Sequence, residues 1–498
     1  MGIVPQEPTA PAHGWRRLLV EPRRPDAVAA NPNAHWLVVG TVCVGAFMGQ
    51  LDASIVVIAL PRLQHAFHTT SSIGAVEWVS LAYLLVLVAM VTAVGRFADM
   101  VGRKLLYIYG FAIFIVGTAL CGLAPSLIWL DVFRILQGFG AAMLQANSVA
   151  LIVQAMPAEK LGKGIGVQGA FQALGLSLGP AVGGFLLLLG GWRLIFWVNV
   201  PAGLVGMALG WFLLPRSRHL AERQPMDWWG IATFVTAITG LMLALSFGNE
   251  SGWLSPPVIA YVAAAAVFGA LFIRRELRCR APMMQLSIFK VIPFSAGISS
   301  GLLSYLALFG VLFVLPFYLK DAGHLSPATA GLELVVLPVF LGLTAPFAGT
   351  LADRWGAQPL TVGGMLVLAL AMLGIAAHPE PGGVLLVELA VAGIGLGMFT
   401  PPNNAAIMGA APRRHSGMAS GILNMTRGMG TSMGVAVTGL VYGLVVGTTT
   451  ANPPVAVVTR GLVAATIFLA AVAVAAAILA RLRGHTGLNT DPTLTAEG

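Results

Sequence analysis

Charge is what this chain has least of. Asp, Glu, Lys and Arg together make up 9% of its 498 residues, against about 25% in soluble globular domains, which excludes a water-solvated globule. Cysteine is scarce too. Cys43, Cys121 and Cys279 are too few and too dispersed to form a disulfide framework, two lying in apolar runs and one beside the basic stretch 274–280. No Walker-type phosphate loop occurs, so the chain cannot drive itself by ATP hydrolysis. The nine histidines fall in tails, loops or at the borders of apolar runs. With no cluster of His, Cys or carboxylate inside a run, the sequence predicts neither an enzyme nor a metal or cofactor site. Soluble-enzyme patterns do occur at Gly164-Ile-Gly166-Val-Gln-Gly169, Gly297-Ile-Ser299-Ser-Gly301 and Ser287-Ile-Phe-Lys290. All lack the strand context or companion motifs that give such patterns meaning.

What is abundant is apolar length. Hydrophobic residues are 57% of the chain and the mean hydropathy is +0.85. Runs of about 20 apolar residues recur along almost the whole length, and only helices and closed barrels satisfy their backbone groups in lipid. The short alternating segments of a barrel are missing, so the fold class expected is all-α and membrane-spanning. Apolar runs bounded by Pro, Gly and charge predict fourteen helices, near 35–61, 74–95, 104–124, 127–155, 162–189, 193–214, 228–248, 256–273, 293–319, 327–351, 360–377, 383–409, 416–446 and 457–481. With the N-terminus inside, most of the 28 Lys and Arg fall on the cytoplasmic side, and the outside receives only Arg62, Arg193, Lys320 and Arg460. One missed helix would invert every later loop. The expectation is therefore a multi-pass protein of a bacterial inner membrane with both termini cytoplasmic, the excess of Arg over Lys pointing to a GC-rich bacterium. The net charge of +9 is spread over loops rather than gathered on one face, so it reports topology and not nucleic-acid binding.

Gly95-Arg96-Phe97-Ala98-Asp99-Met100-Val101-Gly102-Arg103-Lys104 sits between the second and third apolar runs as a tight charged loop. Gly102 supplies a sharp turn, and Arg96, Arg103 and Lys104 are cations expected to stay on the cytoplasmic side. The segment resembles the signature loop of the major facilitator superfamily, with Phe97 where Leu is usual. Gly349-Thr-Leu-Ala-Asp353-Arg354-Trp-Gly356 echoes it after the second helix of a later set. Parallel duplicated halves are the construction this resemblance implies. The domains are then a tail 1–34, a six-helix half 35–214, a linker 215–292 with an inserted helix pair, a second half 293–481 and a tail 482–498. Twelve plus two spans is the arrangement of the drug:proton antiporter branch.

Further motifs carry the same resemblance. Gly175-Leu-Ser-Leu-Gly179-Pro180-Ala-Val-Gly183-Gly184 puts glycines along one helix face around a bending proline, a pattern that lets another helix approach closely. It resembles the antiporter motif, though a generic packing face remains open. Gly190-Gly191-Trp192-Arg193 with Phe196, Asn199, Pro201 and Gly203 resembles the start of the sixth helix in that branch. Charges inside spans cost about 2.5 to 3.5 kcal/mol each and are the natural functional candidates. Asp52, in Leu51-Asp-Ala-Ser-Ile-Val56, and Arg134, in Arg134-Ile-Leu-Gln137-Gly138-Phe-Gly140, resemble first- and fourth-helix motifs. Measured from their own outer helix ends, they share a depth of roughly 10 to 13 Å. An arginine favours the charged form of a buried carboxyl while burial opposes it, so such a pair can exchange a proton. A purely structural ion pair is the alternative. The resemblance implies that Arg134 takes part in proton coupling. Glu333 and Glu388, near outer helix ends, are further candidates for substrate contact or coupling, and Arg427, in Gly417-Met-Ala-Ser-Gly421-Ile-Leu-Asn424-Met-Thr-Arg427-Gly428, for transport or hydrogen bonding. Glu77, Glu250 and Asp131, at helix ends, are expected to be solvated.

The resemblance implies a proton-coupled exporter of drugs or other amphipathic, often cationic, small molecules, working by alternating access as a monomer. Its partners would be substrate, protons and the lipid bilayer, with no nucleic acid. A dedicated exporter of one metabolite or antibiotic is the first alternative, and a non-transporting sensor or scaffold a remote one.

Overall fold

With apolar runs this long and lipid offering no hydrogen bonds, the backbone closes on itself as helix. The computed structural model describes residues 21–67, 73–217, 226–279, 282–323, 325, 327–380, 382–412, 415–446 and 454–483, and contains no strand among them. The long helices are α1 Ala34–Ala66, α2 Ile73–Val101, α3 Arg103–Leu123, α4 Leu127–Ala155, α5 Leu161–Gly190, α6 Asn199–Leu213 (preceded by a turn of helix at Leu194–Trp197), α7 Trp228–Ser251, α8 Pro256–Glu276, α9 Ile292–Asp321, α10 Pro327–Trp355, α11 Ala357–Ala377, α12 Gly383–Ala410, α13 Ser416–Val446 and α14 Val455–Leu482. By length and composition 13 of these can cross a membrane, or 14 if α5 counts as one span despite a bend of 43° between Gly179 and Val182. Pro180 lies in that interval, and a proline inside a helix removes a backbone donor and kinks it. Arg16, Arg17, Arg218, Arg223, Arg280, Arg413, Arg414 and the chain beyond Arg483 lie outside the described residues, as do the side chains of Glu77, Pro180, Glu250 and Lys320.

Helices α1 to α6 and α9 to α14 pack by one scheme used twice. In the first set α1 lies on α5, α4 on α2 and α3, and α3 on α6; in the second α9 lies on α13, α12 on α10 and α11, and α11 on α14. The sets meet along two seams, α5 with α10 and α2 with α13, so each set offers its second and fifth helices to the other. The pair α7 and α8 pack together, and α7 docks against α2 and α13. Only 11% of the α8 apolar window is buried, which leaves it facing lipid. The face where α1 begins and α14 ends is the terminal face below.

One local expectation needs correcting. The charged segment 95–104 is not a loop: α2 continues through Val101, α3 starts at Arg103, and Gly102 alone breaks the helix with φ 126°, a conformation open to glycine. Its cations Arg96, Arg103 and Lys104 are all buried. At the repeat Gly356 (φ 84°) likewise separates α10 from α11, but Arg354 there is exposed.

Candidate functional site

The glycine face of α5 meets α1. A Cβ at Gly175 would lie 3.1 Å from Cβ of Gln50, and one at Gly179 3.0 Å from the backbone nitrogen of Ile55; one at Gly183 would come within 2.9 Å of the Ile55 side chain. Side chains at those positions would hold the helices apart. Gly184 has open space on its side and takes no part. The glycines thus press α5 onto the stretch of α1 that carries Asp52.

Asp52 is wholly buried and faces α4. Arg134 donates from Nη1 to its Oδ2 at 2.7 Å, while Oδ1 accepts from Gln137 Nε2 at 2.9 Å and Asn199 Nδ2 at 3.1 Å. Arg134 also donates to the Val79 carbonyl at 2.8 Å and to Gln137 Oε1 at 2.7 Å, and its guanidinium lies 4.3 Å from the centre of the Tyr83 ring. Two opposite charges out of water need this density of partners, because desolvation otherwise exceeds their attraction. The shared depth expected from the sequence holds for a different reason. Because α1 runs on to Ala66, Asp52 lies about 21 Å from that end, and α1 overshoots the start of α4.

At the terminal face the two signature aspartates cross the seams. Asp99 is wholly buried and accepts from the backbone N–H of Gly417 at 2.8 Å and Met418 at 2.9 Å, at the start of α13, while Arg103 donates to its Oδ1 at 2.8 Å. Asp353 accepts from Gly162 at 2.8 Å and Lys163 at 3.0 Å, at the start of α5. A helix N-terminus presents unsatisfied N–H groups and partial positive charge, which a carboxylate complements. The approach is as close as backbone allows: a Cβ at Gly95 would strike the Gly417 carbonyl, and one at Gly349 that of Gly162. Lys104 donates to the carbonyls of Leu214 at 2.6 Å and Pro22 at 3.0 Å, and Ser217 accepts from the Arg103 N–H at 2.8 Å. Arg103 and Lys104 therefore tie α3 to the end of the first half, and Asp99 ties that half to the second.

Arg427 lies at mid-depth on α13, donating to Gln172 Oε1 on α5 at 3.2 Å and to Asn424 Oδ1 at 3.1 Å. Glu388 packs against Gly374 of α11, inside its own half and away from the Asp52 cluster. Glu333 is half-buried with Oε2 bonded to no group among the described residues. Asp131 is not fully solvated as expected: it is half-buried and its Oδ1 is equally without a partner there.

The structure adds residues to which the sequence assigned no role. Gln137 and Asn199 stood inside quoted motifs, and an amide in an otherwise apolar span was the available signal. Gly162 and Gly417 act through backbone N–H groups that carry no side-chain signature. No group of three or more His, Cys, Asp or Glu that could hold a metal occurs among the described residues.

The chain matches the Major Facilitator Superfamily over residues 42–275 and 297–494. It is 34% identical to the riboflavin transporter RibZ of Clostridioides difficile over 80% of this chain and 87% of that protein. It is 33% identical to the multidrug resistance protein Stp of Mycobacterium tuberculosis, over 80% of this chain and 74% of that one. Among solved structures, the human organic anion transporter MFSD10 shares the fold with a TM-score of 0.66 at 16% identity, over 91% of this chain and all of that one. Duplicated halves, two exchanged seams and the matched residues lead to one conclusion: this chain is a multi-pass membrane transporter of the Major Facilitator Superfamily.

Proposed function

We propose that this transporter is a proton-coupled antiporter exporting amphipathic small molecules from the bacterial cytoplasm by alternating access, as a monomer, with the terminal face cytoplasmic. The observation that carries this reading is the wholly buried Asp52 bonded by Arg134, Gln137 and Asn199. Protonating Asp52 would cancel its charge and release it from Arg134, which keeps the Val79 carbonyl, Gln137 and the Tyr83 face. The freed carboxyl sits on α1 where the glycines of α5 hold it, so a proton gained there can bias how those two helices pack. The aspartate caps at both seams support a sealed cytoplasmic side in this state, since opening inward must break them. A relative with multidrug resistance in its name supports broad cargo; one named as a riboflavin transporter supports a single dedicated cargo.

The test uses proteoliposomes with a pH dye trapped in the lumen and a panel of neutral, anionic and cationic planar dyes as cargo. Entry of a transported dye should expel protons from the lumen, and response to many dyes or to one separates the two cargo readings. Asp52→Asn cannot ionise, so it should give no proton signal while remaining monodisperse. That control matters, because breaking a buried pair can cost about 3 to 5 kcal/mol of stability. A folded Asp52→Asn protein that expels protons at the parent rate would remove Asp52 as the coupling residue and leave Glu333 next in line.

A further inference from the structure

Asp52 is the one carboxylate bonded to Arg134 among the described residues, since the Val79 carbonyl, Gln137 Oε1 and the Tyr83 ring are all neutral. A proton on Asp52 would therefore strip the buried guanidinium of its counter-ion, a costly state inside a membrane bundle. Between residues 35 and 214 the chain has five carboxylates, Asp52, Glu77, Asp99, Asp131 and Glu159. Asp99 is committed to the start of α13, Glu159 stands beside Lys160 and Arg354 on the terminal face, and the Glu77 side chain lies outside the described residues. Asp131 remains. It precedes Arg134 by three residues on α4, and side chains at that spacing are neighbours on one helix, about 5 to 6 Å apart at Cβ. Asp131 lies about 6 Å inside the start of α4 and Arg134 about 10 Å, so the carboxylate stands between the guanidinium and the outer end. It is half-buried, and its Oδ1 is closed off from solvent with no hydrogen bond among the described residues. The charge that acts on it is that of Arg134. The other titratable or charged groups around this part of α4 are Asp52 of α1, Tyr83 of α2, Cys121 of α3 and Arg193. Arg193 is turned to the Ala124 carbonyl at 3.4 Å and to the Trp192 ring.

An enclosed carboxylate oxygen without a donor is unfavourable in the state that leaves it so, and a donor one helical turn away that loses its own partner is its natural complement. We propose that Asp131 is the alternate counter-ion of Arg134: when a proton from the outer side neutralises Asp52, the guanidinium swings one turn toward the start of α4 and pairs with Asp131, and it returns to Asp52 when that proton leaves. Asp131 carries no proton in this cycle. It is a positioning residue that keeps Arg134 paired at both stages and turns one proton on α1 into the displacement of a side chain on α4. The inference rests on the proton-coupled reading and names the group that completes its cycle.

An infrared titration of the purified full chain in detergent, with no gradient and no cargo, tests the swap separately from transport. The carbonyl stretch of a protonated carboxyl that disappears in Asp52→Asn belongs to Asp52. In Asp131→Asn that band should reach half height about one pH unit lower than in the parent, because a unit charge about 10 Å away at an effective dielectric constant of about 20 exerts about that much. The sign is fixed: without Asp131, a neutral Asp52 leaves Arg134 unpaired, so protonation is disfavoured. Asp131→Glu keeps the charge and should recover most of the shift. A double-mutant cycle separates the swap from a distant charge effect. With Asp52→Asn in place Arg134 should already rest on Asp131, so adding Asp131→Asn should lower the thermal midpoint more than it does in the parent, where Asp52 holds the arginine. If Asp131→Asn is not monodisperse, Asp131→Ser is read in its place. An unmoved half-height pH, or equal thermal losses in the two backgrounds, would each overturn the assignment. If the double variant fails to fold while both single variants fold, that excess loss supports the swap, and the titration remains able to refute it. A shifted titration in a protein that expels no protons from proteoliposomes would instead sink the antiport reading and leave the counter-ion standing.

Discussion

Replacing Asp99 with asparagine should open the sealed face, and the structure says by how much. Asp99 places two carboxylate oxygens against two backbone N–H groups of α13, at 2.8 and 2.9 Å, in a wholly buried setting. Asparagine keeps one acceptor and turns an NH2 toward the other N–H. Bonds to a charged acceptor contribute about 1.5 to 3 kcal/mol against 0.5 to 1.5 for neutral ones, and a carboxylate at a helix start adds about 0.3 to 1 more. The sealed state should therefore lose about 2 kcal/mol, or about thirtyfold in its population relative to an open one. Ser420, wholly buried on α13, makes a reporter. As Ser420→Cys, in a protein with Cys43, Cys121 and Cys279 replaced by alanine, it should react with a maleimide only when the seam opens. Labelling should run about thirtyfold faster with Asp99→Asn, and Asp353→Asn at the other seam should act in the same direction. An acceleration below about threefold, with the protein monodisperse, would mean that the cap does not hold the seam and that the segment only turns the chain.

The apolar spans were legible because lipid leaves a long apolar run no alternative to helix. Bounds agree best where Pro or Gly flanks the run, as at Leu127–Ala155 and Ser416–Val446. Helix ends were misjudged where charges interrupt the run. Hydropathy stops at Arg96, but the helix does not, because its charges find partners inside the protein: Asp99 at the start of α13, and Lys104 at the carbonyls of Leu214 and Pro22. Pairing Asp52 with Arg134 was legible from scarcity, since opposite charges in apolar helices must find each other or water. The amides that complete the pair were not, because Gln137 and Asn199 have many partners open to them and only the packing of α1, α4 and α6 selects one. Cross-seam contacts were half legible. The aspartates and glycines stand out, whereas the N–H groups they meet belong to every residue. For Arg427, Asn424 three residues earlier was a legible partner for the hydrogen-bonding role expected of it, whereas Gln172 of α5 was not, because only tertiary packing selects it.

The seam of α1 and α5 gives a paired prediction: Gly179→Val should lower the thermal midpoint and impair transport by forcing Ser54 and Ile55 away, at about 1 to 3 kcal/mol for overpacking. Gly184→Ala, with open space around it, should leave both unchanged, and equal behaviour of the two in a thermal-shift and transport series would refute the packing role. The last prediction concerns acid stability outside the membrane spans. Asp227 caps α7 by accepting from the Gly230 N–H at 2.9 Å, and Arg275 of α8 donates to it at 2.6 Å. Burial opposes its ionisation, but the Gly230 and Arg275 bonds outweigh that and hold the carboxyl below the usual aspartate range. A depressed carboxyl binds its proton more weakly folded than unfolded, so its contribution is fully present above the unfolded value of about 3.9 and fades as pH falls through the lower folded value. Arg275 is 42% exposed, so salt screens the pair and the effect stays modest. Asp227→Asn should lower the thermal midpoint at neutral pH and converge with the parent as pH drops below about 4. A gap between the two that stays constant or widens on acidification would show that the carboxylate charge is not what fastens α7 to α8.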